Sequence, residues 1–90
     1  MAVVRFTSAL KRFFPSLAVE SMEVGNVAEL LHQLETRYPG LRDYLVDEQG
    51  VMRQHVNIYI GEELIKDRKH LSDRLESTDE VLIFQALSGG

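Results

Sequence analysis

The sequence predicts an α+β domain in which one long helix lies on one face of a mixed sheet of about five strands. Most of its apolar residues alternate with polar ones, as in strands, but in one segment they recur every three to four residues, as in a helix. These segments follow one another in the order β-β-α-β-β-β. Because one helix covers only one face of such a sheet, the other face is expected to be exposed to solvent.

The composition is typical of one soluble globular domain spanning residues 1–90, with 44% hydrophobic and 27% charged residues. The absence of cysteine excludes disulfides, thiolate metal sites and a thiol nucleophile. No signal peptide and no apolar run of about 18 residues is found, so we expect a cytoplasmic protein without membrane contact, monomeric when free. The net charge of −4 and the scattered lysines and arginines argue against a nucleic-acid partner.

The first part of the sequence predicts a β-hairpin. Residues 2–6 form the first strand, and residues 7–16 form a connection because Pro15 cannot continue a central strand. Residues 17–24 form the second strand. Its apolar residues change phase midway, which predicts a bulge near Ser21.

The long helix is the clearest element of the sequence. Asn26 is a favourable N-cap, Glu29 is a capping-box partner, and Pro39 with Gly40 ends the helix. Its apolar stripe consists of Val27, Leu30, Leu31, Leu34 and Tyr38. We expect this stripe to pack on Val4, on Val56 or Ile58, and on Ile83 or Phe84 of the sheet.

The second part of the sequence predicts three more strands. In the first of them, Val56, Ile58 and Ile60 face one way. A polar loop at residues 67–76 is expected to contain one helical turn held down by Leu71 and Leu75. The predicted elements are a helical turn at residues 41–46 and strands at residues 51–60, 64–65 and 81–87.

Outside the C-terminus, the sequence has no pattern typical of an active site. His32, His55 and His70 share no ligand spacing, so no metal site is predicted. No glycine-rich phosphate loop is present, and no partnered histidine is near Ser88 in sequence to make that serine a nucleophile. The Phe13–Phe14 pair is expected to form a small satellite cluster under a loop; the alternative is a docking surface for a partner.

The C-terminal segment follows directly after the last predicted strand and ends with Gly89 and Gly90. If extended, residues 86–90 reach at most about 17 Å beyond the domain. Glycine has no Cβ, so a partner's backbone can close around this segment. The pattern predicts a carboxylate presented to a narrow active site, with Ser88–Gly90 exposed and mobile in the free protein; an inert end is the alternative.

Along essentially its whole length, the sequence resembles the MoaD/ThiS family of ubiquitin-like β-grasp sulfur carriers. The resemblance is carried by residues 26–39, by residues 55–60 and above all by residues 79–90. It implies that an E1-like enzyme uses ATP and magnesium to adenylate the carboxylate of Gly90. Sulfur then replaces one oxygen to give a thiocarboxylate, which a second, sulfur-accepting enzyme uses in biosynthesis. The chain itself would bind no cofactor and would be a co-substrate, not an enzyme.

The resemblance also implies roles for single residues. Gly89 and Gly90 match the reactive end, and Phe84 matches a large apolar position that contacts the activating enzyme. Leu87 and Ser88 match the aliphatic and small residues that precede the two glycines. Gln85 stands where molybdopterin-synthase small subunits usually have proline, which favours a general or cysteine-pathway carrier.

Two other functions are compatible with the same sequence. A protein modifier would use the same activation of Gly90 but would end in an isopeptide bond to a lysine. A non-catalytic ubiquitin-like interaction module would use only the exposed sheet face and would tolerate extra residues after Gly90.

Overall fold

A five-stranded mixed sheet forms one layer of the domain, and three helices pack on one of its faces. The computed structural model describes residues 1–85. Its elements are β1 (Ala2–Phe6), α1 (Ser8–Phe13), β2 (Glu20–Met22), α2 (Val27–Arg37), α3 (Leu41–Leu45), β3 (Val56–Ile60), β4 (Glu63–Leu64) and β5 (Glu80–Gln85). The strand order is β2-β1-β5-β3-β4, in which β1 and β5 are parallel and the other pairs are antiparallel. This arrangement confirms the predicted α+β class and mixed sheet.

The core lies between α2 and the sheet, as the helical stripe predicted. The first four stripe residues, Val27 to Leu34, are at most 1% exposed, and Tyr38 packs partly buried against the same cluster. Their counterparts on the sheet are also buried: Val4, Val56, Ile58 and Ile83. In β5 the alternation therefore directs Ile83 to the core and Phe84 to the opposite face. The stripe thus packs on Ile83 and not on Phe84, a choice that the sequence left open.

Short-range hydrogen bonds set the start of α2. The side-chain oxygen of Asn26 accepts the N–H of Glu29 at 2.8 Å, which confirms the predicted N-cap. The carboxylate of Glu29 accepts the N–H of Gly25, one residue before the position that a capping box uses. Glu29 thus closes the chain reversal between β2 and α2.

Glu35 organises the corner between α2 and α3. Its carboxylate accepts the N–H groups of Gly40 and Arg42, and these two bonds lower the pKa of Glu35. Gly40 has a φ of 96°, which is favourable only for glycine. Pro39 and Gly40 therefore stop the helix as predicted, and the predicted helical turn at residues 41–46 is confirmed as α3.

The structure corrects the sequence prediction in the segment between β1 and α2. The predicted connection contains a short helix, α1, anchored in the core by the fully buried Leu10. Strand β2 is only three residues long, and Ser21 pairs with Val3 in a regular ladder. The predicted bulge is therefore wrong. Leu17 lies in the loop before β2 and is buried there, which explains why the apolar residues of 17–24 change phase.

Smaller corrections apply to the second half. Strand β3 begins at Val56 instead of residue 51, and β4 lies one residue earlier than predicted. Leu71 and Leu75 are buried as expected, and residues 67–71 form the one predicted turn, closed by the hydrogen bond from the N–H of Leu71 to the carbonyl of Asp67 at 3.0 Å, although no longer helix forms there. Leu71 adopts a φ of 56° in an irregular loop. Within residues 1–85, no helix is long and apolar enough to cross a membrane.

Asp67 holds this irregular loop together. Its carboxylate accepts the hydroxyl of Ser72 and the N–H groups of Lys69, His70 and Ser72. The Ser72 hydroxyl and then these backbone donors lower the pKa of Asp67 from 3.8 to about 2. Because the folded-state pKa is depressed, the stabilisation is complete above pH 3.8 and disappears as the pH falls towards about 2.

We expect Asp67→Asn to lower the urea midpoint at pH 7, because the neutral amide accepts these donors less strongly. The difference from the wild type should shrink between pH 3.8 and about 2, measured by urea unfolding monitored by circular dichroism. Glu48→Gln, at an exposed position, is the matched control and should leave the midpoint unchanged. A difference that is the same at pH 2 and pH 7 would contradict the role of the Asp67 charge.

Candidate functional site

The last described residues of β5 connect the sheet to residues 86–90, which include Gly89 and Gly90. Strand β5 lies in the middle of the sheet, but its pairing with β1 ends at the Phe6–Ile83 pair, after which the chain turns into α1. Pairing with β3 continues to Val56 and Gln85. Phe84 and Gln85 are therefore paired in the sheet on one side only, and their side chains point to opposite faces.

Aromatic stacking supports Phe84 on the open face of the sheet. The rings of Phe84 and Tyr59 are stacked, with centroids 5.3 Å apart and an interplanar angle of 21°. Leu82 pairs with Tyr59 on one side, and Leu64, which is 43% exposed, pairs with Tyr59 on the other. We call Tyr59, Leu64, Leu82 and Phe84 the open-face patch.

Charged side chains border the open-face patch. Arg5, on β1, is exposed and pairs with Leu82. Glu62 is exposed in the turn before β4, at the other edge, whereas Glu63 pairs with Ile60 and points to the helical face. The patch thus has an apolar centre with a positive and a negative border, an arrangement typical of protein–protein contact surfaces.

A second group of aromatic residues supports Gln85 on the helical face. The hydroxyl of Tyr44, in α3, donates a hydrogen bond to the side-chain carbonyl of Gln85 at 2.6 Å. The ring of Tyr44 contacts the rings of Phe13, Phe14 and His55, with centroids 5.1, 5.8 and 6.2 Å away. The last residues described before the C-terminal segment are therefore held by an aromatic side chain on each face.

The predicted satellite cluster is confirmed for Phe14, which is half-buried against the core. Phe13 lies in contact with the same tyrosine but is 60% exposed. The two neighbouring phenylalanines thus differ, and Phe13 retains an accessible ring.

The structure locates only one of the site residues named from the sequence. Phe84 lies half-buried in the open-face patch. Leu87, Ser88, Gly89 and Gly90 lie outside the described residues, and so does the expected mobility of residues 88–90. Tyr59 and Tyr44 were not predicted as site residues: the alternation of β3 places Tyr59 on the open face, whereas no local pattern connects Tyr44 to Gln85.

The three histidines have different surroundings. His55 packs edge-on against Tyr44, His70 lies 3.8 Å from the carboxylate of Asp67, and His32 is exposed on α2. Among the described residues, no group of three or more histidines and carboxylates is placed to hold a metal ion.

The family model described as the ThiS family matches residues 4–90. The chain belongs to the ThiS family. It is a family of small ubiquitin-like sulfur carriers, as the sequence resemblance implied. Comparison of this ThiS-family chain with curated proteins gives no match.

Solved structures share the β-grasp fold of this ThiS-family chain. A chain in the Amycolatopsis orientalis BexX/CysO complex has a TM-score of 0.84 at 21% identity, with complete coverage of both chains. Mycobacterium tuberculosis CysO has a TM-score of 0.81 at 22% identity, covering 97% of this chain and 100% of that one. Haloferax volcanii SAMP1 has a TM-score of 0.77 at 20% identity, covering 99% and 98%. At these identities the likeness establishes the ubiquitin-like fold.

Proposed function

We propose that this chain is a sulfur carrier whose C-terminal carboxylate, at Gly90, is adenylated by an E1-like enzyme and converted to a thiocarboxylate for a biosynthetic pathway. The observation that supports this proposal best is membership of the ThiS family over residues 4–90. In this proposal the carrier is cytoplasmic and acts as a co-substrate. The activating enzyme uses ATP and magnesium, and this chain binds neither.

The proposed chemistry requires a terminus that can reach ATP inside the partner and a group on the carrier that can hold the sulfur, and the sequence provides both. A carboxylate oxygen of Gly90 attacks the α-phosphorus of ATP and pyrophosphate leaves, which requires a terminus thin enough to reach ATP inside the partner. Hydrosulfide then attacks the carbonyl carbon, AMP leaves, and loss of the sulfur-bound proton gives the thiocarboxylate. Because the chain has no cysteine, it cannot carry the sulfur as a persulfide, and its terminus is the group that remains.

The open-face patch supports a docking role for Phe84 in the first of these steps. Phe84 is one residue from Gln85, and Gly90 follows five residues later, at most about 17 Å along an extended chain. An enzyme that encloses Gly90 must therefore approach the end of β5 closely. A half-buried aromatic ring with an apolar surround at that place is typical of residues that dominate binding energy.

The comparison structures are consistent with partners of this kind. The Amycolatopsis orientalis CysO relative forms a complex with BexX. We propose two enzyme partners for the present chain, an E1-like activating enzyme and a sulfur-accepting biosynthetic enzyme.

Phe84→Ala tests the docking role. We expect the KM of the carrier in ATP–pyrophosphate exchange with its purified activating enzyme to rise about tenfold, with kcat unchanged because the carboxylate is intact. The loss of the Tyr59 contact should also lower the free energy of unfolding by about 1 kcal/mol.

Val24→Ala is the matched control, because Val24 is also half-buried and lies near the start of β1, away from the end of β5. It should lower stability but leave the KM unchanged. An unchanged KM for Phe84→Ala would place the docking surface elsewhere.

A protein modifier is the second candidate function, favoured by the similarity to Haloferax volcanii SAMP1 and to the small archaeal modifier protein 1 of Methanosarcina acetivorans, with a TM-score of 0.78 at 21% identity. Both functions begin with adenylation at Gly90 and differ in the product. Intact-mass measurement on the protein from its own cells distinguishes them. Exchange of one oxygen for sulfur supports the carrier, whereas Gly90 joined to lysines of other proteins, without sulfur exchange, supports the modifier. A chain with an extra residue after Gly90 that keeps all its partners would indicate an interaction module.

A further inference from the structure

We infer that Tyr44 is a positioning residue for the adenylation step, acting through its hydrogen bond to Gln85, five residues before Gly90. This inference rests on the proposed function. It assigns a role to the helical face of the end of β5, separate from the open-face patch.

The need for such a residue follows from the sheet topology. Beyond Ile83, β1 no longer pairs with β5, because the chain has turned towards α1 after the N–H of Thr7 bonds to the carbonyl of Ile83. Gln85 keeps only its pairing with Val56 of β3. A part of a strand that is paired on one side opens more readily than one paired on both.

Tyr44 contacts Gln85 from the helical face of the sheet. Its hydroxyl bonds to Gln85 at 2.6 Å, a short distance for this kind of bond. The ring is itself held in place, since Phe13, Phe14 and His55 all contact it. A hydrogen bond from an immobilised donor restricts its partner more than one from a freely rotating surface side chain.

The consequence for catalysis is entropic. The carboxylate of Gly90 must enter the partner's active site, and residues 86–90 are joined to the domain through Gln85, so the placement of Gly90 relative to the domain depends on how firmly Gln85 is held. When Gln85 is held, less conformational entropy is lost on productive binding. Loss of the bond should therefore raise the KM and leave the kcat of the bound complex unchanged.

Tyr44→Phe tests this inference, because it removes the hydroxyl and keeps the ring contacts. In ATP–pyrophosphate exchange with the purified activating enzyme, we expect the KM of the carrier to rise about three- to tenfold, the effect of one neutral hydrogen bond. Tyr38→Phe is the matched control. The Tyr38 hydroxyl also donates a partly buried hydrogen bond, to Glu20 of β2, so this variant should lose stability but keep the wild-type KM.

A rescue separates positioning from a general structural effect. Proline restricts φ, and β1 no longer pairs with β5 at position 85, so Gln85→Pro should stiffen the same point without the hydrogen bond to Tyr44. In the Gln85→Pro background, adding Tyr44→Phe should change the KM less than twofold.

The outcomes are distinct. If the wild type supports exchange but Tyr44→Phe raises the KM no more than Tyr38→Phe does, the inference is overturned. The proposed function would remain intact. An effect of Tyr44→Phe that is equally large in the Gln85→Pro background would also overturn it. If the wild type supports no exchange, the proposed function fails, and this inference fails with it.

Discussion

Deletion of Gly90 should abolish ATP–pyrophosphate exchange by the activating enzyme. The deletion leaves a glycine carboxylate at the end of the chain but moves it back by one residue, about 3.5 Å. Since a displacement of about 1 Å can already cost a hundredfold in rate, we expect a loss of at least about a hundredfold in kcat/KM. The measurement is isotope exchange between pyrophosphate and ATP with the purified enzyme.

The control for this deletion is the folding of the variant. Residues 1–85 contain the sheet, the helices and the core cluster, so the urea midpoint should remain that of the wild type. Gly89→Val should lose exchange for a different reason, because its branched Cβ would collide where the enzyme encloses the chain. Full exchange by the Gly90-deleted protein would contradict the assignment of the terminal carboxylate as the reactive group.

Leu31→Ala should lower the free energy of unfolding by about 2–5 kcal/mol. Leu31 is 1% exposed in the cluster that joins α2 to the sheet, so its truncation removes buried apolar surface and leaves a cavity. Urea unfolding followed by circular dichroism measures the change, with the slope of the transition compared between the two proteins.

His32→Ala is the matched control for this prediction. His32 is the next residue on the same helix and is exposed, and alanine is a favourable helix residue. We expect this change to alter the free energy of unfolding by less than about 0.5 kcal/mol. A loss of less than half a kcal/mol for Leu31→Ala would mean that the stripe of α2 is not the core.

The sequence by itself determined the parts of the fold whose signal is local and repeated. The helix α2 was predictable because its apolar residues recur over three turns and Asn26 caps its first turn. The inward faces of β1 and β3 were predictable because alternation along a strand assigns each residue to one face. Phe84 could be named as a site residue from the resemblance of residues 79–90 to the family.

Elements with little periodic signal were missed or misplaced. The helix α1 has six residues and one buried anchor, Leu10, which is too short for a recognisable period. Strand β2 is three residues long, so its limits depend on pairing with β1 and not on its own alternation. The loop around Leu71 is held by hydrogen bonds to the carboxylate of Asp67, and no residue pattern in the sequence predicts these contacts.

The site divides in the same way. The sequence determined that a strand with Phe84 is followed by Gly89 and Gly90, since those residues are neighbours along the chain. Only the tertiary structure decided that Tyr59 stacks on Phe84 and that Tyr44 bonds to Gln85, which is 41 residues away. Contacts between distant residues depend on strand order and on how α3 packs against the sheet, and these follow from the burial of the whole core and not from any one segment.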